Sequence, residues 1–218
     1  MGCHGSEGSR LLRAWLVAAV VIAATTSAAP AAELEGRALV DALRAGGYNI
    51  YFRHAATDWG QDDRVRTAGD WTSCDPAKMR QLSKAGRAAA RRVGDAIRAL
   101  GIPVAKVLSS EYCRGSETAE LMDLGPVTKT RDVMNLRVAD YVGGPEAVIR
   151  RAQRLLAQPP PEGTNLVIVG HGNLMLAATG AYAGEGGSGI YAPRAGGGFE
   201  MVARVSAEDW IRLAEEDG

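Results

Sequence analysis

The chain has 218 residues, and its 25 basic and 25 acidic side chains balance. That balance leaves no basic footprint for nucleic acid, and the length beyond an N-terminal leader suits one well-packed domain. Three histidines and three cysteines are too few for a convincing zinc site, so neither a metal nor another cofactor is expected.

The leader comes first. Arg10 and Arg13 supply a positive start, residues 14–24 are apolar, and residues 25–32 are small, with Ala29-Pro30-Ala31 fitting a small-x-small cleavage site. Residues 1–31 therefore read as a signal peptide, which implies a periplasmic or secreted protein made of residues 32–218. The competing reading, an uncleaved anchor, needs a longer span of about 20 apolar residues. No stable membrane span is expected once the leader is removed.

Residues 34–45 carry Leu34, Ala38, Leu39, Ala42 and Leu43 at helical spacing, and Gly46-Gly47 stops the helix. Residues 48–53 read as a buried strand. Residues 57–79 form a long polar excursion holding Trp59, Trp71 and Pro76, of the kind that is usually functional or disordered. Ser83 caps a second helix with a stripe of Ala85, Ala88, Ala89, Val93, Ala96, Ile97 and Leu100; Gly101 and Pro103 end it. A strand over 104–109 and a short helix over 114–122 follow. Pro145 opens a helix over 145–157. Residues 165–169 make another strand, 174–180 a helix, and 199–205 a last strand before a helix that Ser206 caps and that runs to Glu215. Strands alternating with helices predict an α/β fold, a three-layer α/β/α sandwich on a mostly parallel central sheet.

His4 lies in the leader, so the mature protein keeps two of the three histidines. His54 ends the first strand, beside Arg53, and His171 ends the strand over 165–169. Open parallel sheets place their ligands at such strand ends. Histidine beside arginine there points to chemistry on an anion, with phosphate the leading candidate. Cys74 and Cys113 also remain, and export permits a disulfide between them. Cys113 adjoins Arg114 and Cys74 sits in the polar excursion, which needs a tether to stay ordered. Two reduced thiols are the alternative.

Four stretches carry a resemblance: Arg53-His54-Ala55-Ala56-Thr57-Asp58-Trp59, Leu82-Ser83-Lys84-Ala85-Gly86-Arg87, Ser109-Ser110-Glu111-Tyr112-Cys113-Arg114-Gly115-Ser116-Glu117-Thr118-Ala119, and Val169-Gly170-His171-Gly172-Asn173. In this order they resemble the histidine phosphatase superfamily, with its phosphoglycerate mutase-like fold. The resemblance implies that His54 attacks phosphorus as a neutral imidazole and forms a phosphohistidine. Arg53, Arg114 and His171, with His54, would bind the phosphate and stabilise the charge that develops on its oxygens. No metal is required.

Three departures stand out. Ala55 and Ala56 replace the usual glycine and glutamate. Gly60 stands where many relatives have a phosphate-binding asparagine, so that contact is lost or moved. Val138 sits near the expected catalytic glutamate. Asp132, Asp140, Glu111 and Glu185 are the candidate acids, and Asp140 is favoured.

The expected function is an exported, metal-independent phosphomonoesterase acting on a phosphorylated small molecule or glycan. For exported relatives the resemblance extends to sugar or lipopolysaccharide phosphates. The alternatives are a non-catalytic phosphate-binding module on the same fold and a mutase-like phosphotransferase.

Overall fold

The computed structural model describes residues 1–4 and 33–218. The predicted leader falls almost wholly on residues 5–32 and so lies outside the described residues. All elements below belong to the unit Ala31–Gly218.

The described residues form one six-stranded sheet, β1 (Asn49–Arg53), β2 (Val104–Ser110), β3 (Val127–Thr130), β4 (Asn165–Gly170), β5 (Ser188–Pro193) and β6 (Phe199–Val205). Its order is β3-β2-β4-β1-β5-β6. The β3-β2, β2-β4 and β4-β1 pairs are parallel, whereas β5 runs antiparallel to both β1 and β6. The sheet is therefore mixed, with a parallel half that carries the predicted histidines.

Two strands escape the sequence reading. In β3, Thr128 and Lys129 are exposed, so the strand shows no apolar run. Glycines and alanines around β5 imitate a loop, and the strand is defined by its neighbours on both sides.

Helices α1 (Gly36–Ala45), α2 (Lys84–Ala99), α3 (Cys113–Met122) and α6 (Ala207–Asp217) cover one face. Helices α4 (Pro145–Ala157) and α5 (Gly172–Thr179) cover the other. The strand pleat assigns residues between the two cores: Ile50, Phe52, Val167 and Val169 pack with the first set, and Tyr51 and Ile168 with the second. The predicted caps form. Ser83 Oγ accepts from the Gly86 N–H, Ser206 and Asp209 make a capping box, and Pro145 occupies the first turn of α4.

The excursion after β1 is an ordered flap. An antiparallel bridge between Thr57 and Leu82 closes its base. The buried Trp71 anchors its middle, and its indole N–H donates to Glu111 Oε2 at 3.0 Å. A disulfide joins Cys74 to Cys113 at the start of α3. The tether expected between these cysteines is thus present.

Candidate active site

The carboxyl ends of β1, β2 and β4 meet at one edge of the sheet. β1 delivers Arg53 and His54, the turn after β2 delivers Arg114 in the first turn of α3, and β4 delivers His171. The rings of His54 and His171 lie 5.4 Å apart, edge to face. All four residues singled out for phosphate binding therefore sit on adjacent strand ends.

Local packing explains how they are held. The Ala55 N–H donates to Thr118 Oγ1 at 3.0 Å, and the His54 N–H donates to the Gly170 carbonyl at 3.0 Å. Tyr51 Oη accepts from the His171 N–H at 3.1 Å. This close approach requires glycine at 170, because a Cβ there would lie 2.2 Å from Tyr51 Oη. Gly86 likewise lets α2 rest on the loop after His54, where a Cβ would come within 2.0 Å of the Ala56 carbonyl oxygen.

The tautomers follow from the partners. His54 Nδ1 lies 2.9 Å from the Ala55 carbonyl, which can only accept, so Nδ1 carries the proton. Nε2 is then unprotonated, and its lone pair accepts from the Arg114 Nε–H at 3.3 Å. Burial, and secondarily the Arg114 charge, push the His54 pKa down to about 3, so it is neutral at ordinary pH.

For His171, Asn135 Oδ1 accepts from Asn173 Nδ2 and from the Arg137 N–H, which leaves Asn135 Nδ2 to donate to His171 Nδ1 at 3.2 Å. His171 Nε2–H then donates to Ser110 Oγ at 2.9 Å. Burial, followed by the Arg114 charge, holds this imidazole well below its ordinary pKa.

Arg114 is fully buried, and Asp63 in the flap accepts from its fork: Nη1 donates to Oδ1 at 2.8 Å and Nη2 to Oδ2 at 3.0 Å. Arg53 donates to the Tyr182 hydroxyl, and its Nη2 lies 3.4 Å from Glu185 Oε1. Glu185 also accepts from Thr57 Oγ1 at 2.8 Å.

The favoured acid is not brought to the cluster. Val138 and Ala139 on the 3₁₀ segment Leu136–Val142 turn into the core, which leaves Asp140 exposed. Among the described residues no hydrogen bond or ion pair joins Asp140 to His54, Arg53, Arg114 or His171. Glu111 pairs with Arg131 and Asp132 with Arg151. Of the four candidate acids, Glu185 is the one that contacts the cluster.

Sequence reasoning missed Asp63 and Tyr182. Both depend on how loops fold back over the strand ends, and neither stands at a spacing that marks it. Among the described residues no group of three or more His, Cys, Asp or Glu side chains is arranged to hold a metal. No described helix is long and apolar enough to cross a membrane.

Residues 50–157 match the profile of the histidine phosphatase superfamily, branch 1. No curated protein sequence matches the chain. Among solved structures, a mycobacterial glucosyl-3-phosphoglycerate phosphatase complexed with VO3 is 15% identical, with a TM-score of 0.52 over 72% of this chain and 98% of that one. The native form of that phosphatase is 15% identical, with a TM-score of 0.51 over 72% and 97%. The protein histidine phosphatase SixA complexed with tungstate is 14% identical, with a TM-score of 0.46 over 73% and 97%. At these identities the first two likenesses are ones of fold. With the ordered motifs, the matching profile and this fold together, the chain belongs to the histidine phosphatase superfamily.

Proposed function

We propose that this protein is an exported phosphomonoesterase that works through a phosphohistidine on His54. The observation that carries the reading is the pairing at the nucleophile. Nδ1 is fixed as donor to Ala55, while Nε2 keeps its lone pair and faces the Arg114 Nε–H at 3.3 Å. A phosphoryl group that takes the place of this hydrogen bond would meet the Nε2 lone pair at phosphorus and the Arg114 cation at its oxygens.

In the first half-reaction Nε2 attacks phosphorus, the P–O ester bond breaks, and its electron pair leaves on the alcohol oxygen, which takes a proton. In the second, water attacks phosphorus, the P–N bond breaks, and the pair returns to Nε2. Arg53 and Arg114 hold the equatorial oxygens, and His171 turns its Nε2–H from Ser110 to one of them. We assign the proton exchange to Glu185, the candidate carboxylate seated beside Arg53. The substrate is a phosphorylated small molecule or glycan, and a sugar or lipopolysaccharide phosphate fits an exported enzyme.

The test is phosphate release from a panel of monoesters by wild type and His54→Ala. Wild type should turn over, give an acid-labile phosphoenzyme, tolerate chelator and be inhibited by vanadate. His54→Ala should lose both turnover and label. Vanadate binding without turnover on any monoester would favour the non-catalytic module instead.

A further inference from the structure

We propose that Arg80 is a third arginine of the phosphate clamp, binding the non-bridging oxygens of the scissile phosphate alongside Arg53 and Arg114. This rests on the reading that the site takes a phosphate monoester.

The need for it lies in Arg114. Both terminal nitrogens of that guanidinium are held by Asp63, so only the Nε–H faces His54. The end-on fork of that guanidinium is already filled by a carboxylate, so fewer of its donors remain for phosphate oxygens.

Arg80 is placed to supply that grip. Its backbone is fastened to the Asp63–Arg114 pair: its N–H donates to Asp63 Oδ1 at 3.1 Å, and its carbonyl accepts from Arg114 Nη1 at 3.4 Å. Its flanking residues, Met79 and Gln81, are buried and fix its direction. The side chain itself has no hydrogen bond or ion pair among the described residues, and its Nε is buried without a partner. A buried donor without a partner costs free energy unless a ligand satisfies it.

The guanidinium carbon sits 4.3 Å from the ring centroid of Trp59, a tryptophan that is 70% exposed. That face holds the guanidinium plane without using its N–H donors, which stay available to an anion. Arg53 has Glu185 and Arg114 has Asp63, whereas Arg80 has no carboxylate partner. Arg80 is also close enough to help depress both histidines, and Arg114, Asp63, Glu185 and Arg137 are the charges that act on it in turn.

The experiment measures orthophosphate and vanadate binding to the intact protein by calorimetry, and kcat/KM on 4-nitrophenyl phosphate, for wild type, R80Q, R80K and W59A. Loss of a charge-assisted fork predicts that R80Q weakens orthophosphate binding by about 10- to 100-fold and lowers kcat/KM by at least as much. R80K should recover part of the binding because it keeps the charge without the fork. W59A, a change at an exposed side chain, should weaken binding several-fold with the thermal midpoint unchanged, which protects the test if R80Q folds poorly. Wild-type orthophosphate affinity in a folded R80Q, or equal weakening by R80K and R80Q with W59A silent, would overturn the proposal. Wild type that binds phosphate but hydrolyses no monoester would defeat the phosphatase reading and leave the role of Arg80 standing. Wild type that binds neither anion would defeat both.

Discussion

The burial of His54 makes a specific demand on stability in acid. Its folded pKa is about 3 against an ordinary value of 6.5. A histidine with a depressed folded pKa contributes its full stability above the unfolded value and loses it as pH falls from 6.5 towards 3. For these two values the loss from His54 alone is about 0.2 kcal/mol at pH 7 and about 2 kcal/mol at pH 5. His171, depressed in the same direction, adds to the slope. Other groups titrate over this range as well, so the informative quantity is a difference. In His54→Gln the titrating ring is gone and the carboxylates remain. Urea unfolding of wild type and His54→Gln from pH 7 to pH 5 should show the gap between their stabilities shift against wild type by roughly 2 kcal/mol. A constant gap would refute the claim that His54 is held neutral by burial. The functional counterpart is that protonation of His54 removes no kcat/KM between pH 7 and pH 5; a fall of about tenfold per unit, traced to His54 by its ring signals in NMR, would count against the nucleophile being poised as a free base.

Four further outcomes follow from the packing. The Cys74–Cys113 bond closes a loop with a sequence separation of 39, and for a loop of that size the chain-entropy relation gives about 4 kcal/mol, which reductant should largely remove from the urea midpoint. Thiol labelling of the unreduced, denatured full chain should find Cys3 alone, with Cys74 and Cys113 appearing only after reduction. Asp63→Ala leaves the Arg114 charge buried without its partner and should cost about 3–5 kcal/mol in denaturant unfolding at neutral pH; a loss under about 1 kcal/mol would mean that the guanidinium is solvated. Gly86→Ala drives a methyl against the Ala56 carbonyl oxygen, so thermal melts should show a destabilisation of about 1–3 kcal/mol, and kcat/KM should fall as the loop after His54 is displaced.

The sequence alone determined strands β1, β2, β4 and β6 and the helices that follow them. Their apolar periodicity is local, and Ser83, Pro145 and Ser206 mark helix starts through hydrogen bonds within one turn. It also determined which strand ends carry His54, Arg53, Arg114 and His171, because motif order fixes those residues to particular elements. Only the tertiary structure decided the rest. Strands β3 and β5 have weak patterns of their own and exist through pairing with β2, and with β1 and β6. Asp63 and Arg80 sit in a chain reversal held by a disulfide, a buried Trp71 and a bridge at residues 57 and 82, and Glu185 comes from the turn between α5 and β5 to meet Thr57 and Arg53. The placement of Asp140 has the same origin: its neighbours Val138 and Ala139 turn inward, and on a 3₁₀ turn that faces the carboxylate to solvent. A carboxylate partner for a buried arginine is chosen by distance in three dimensions, which local spacing does not encode.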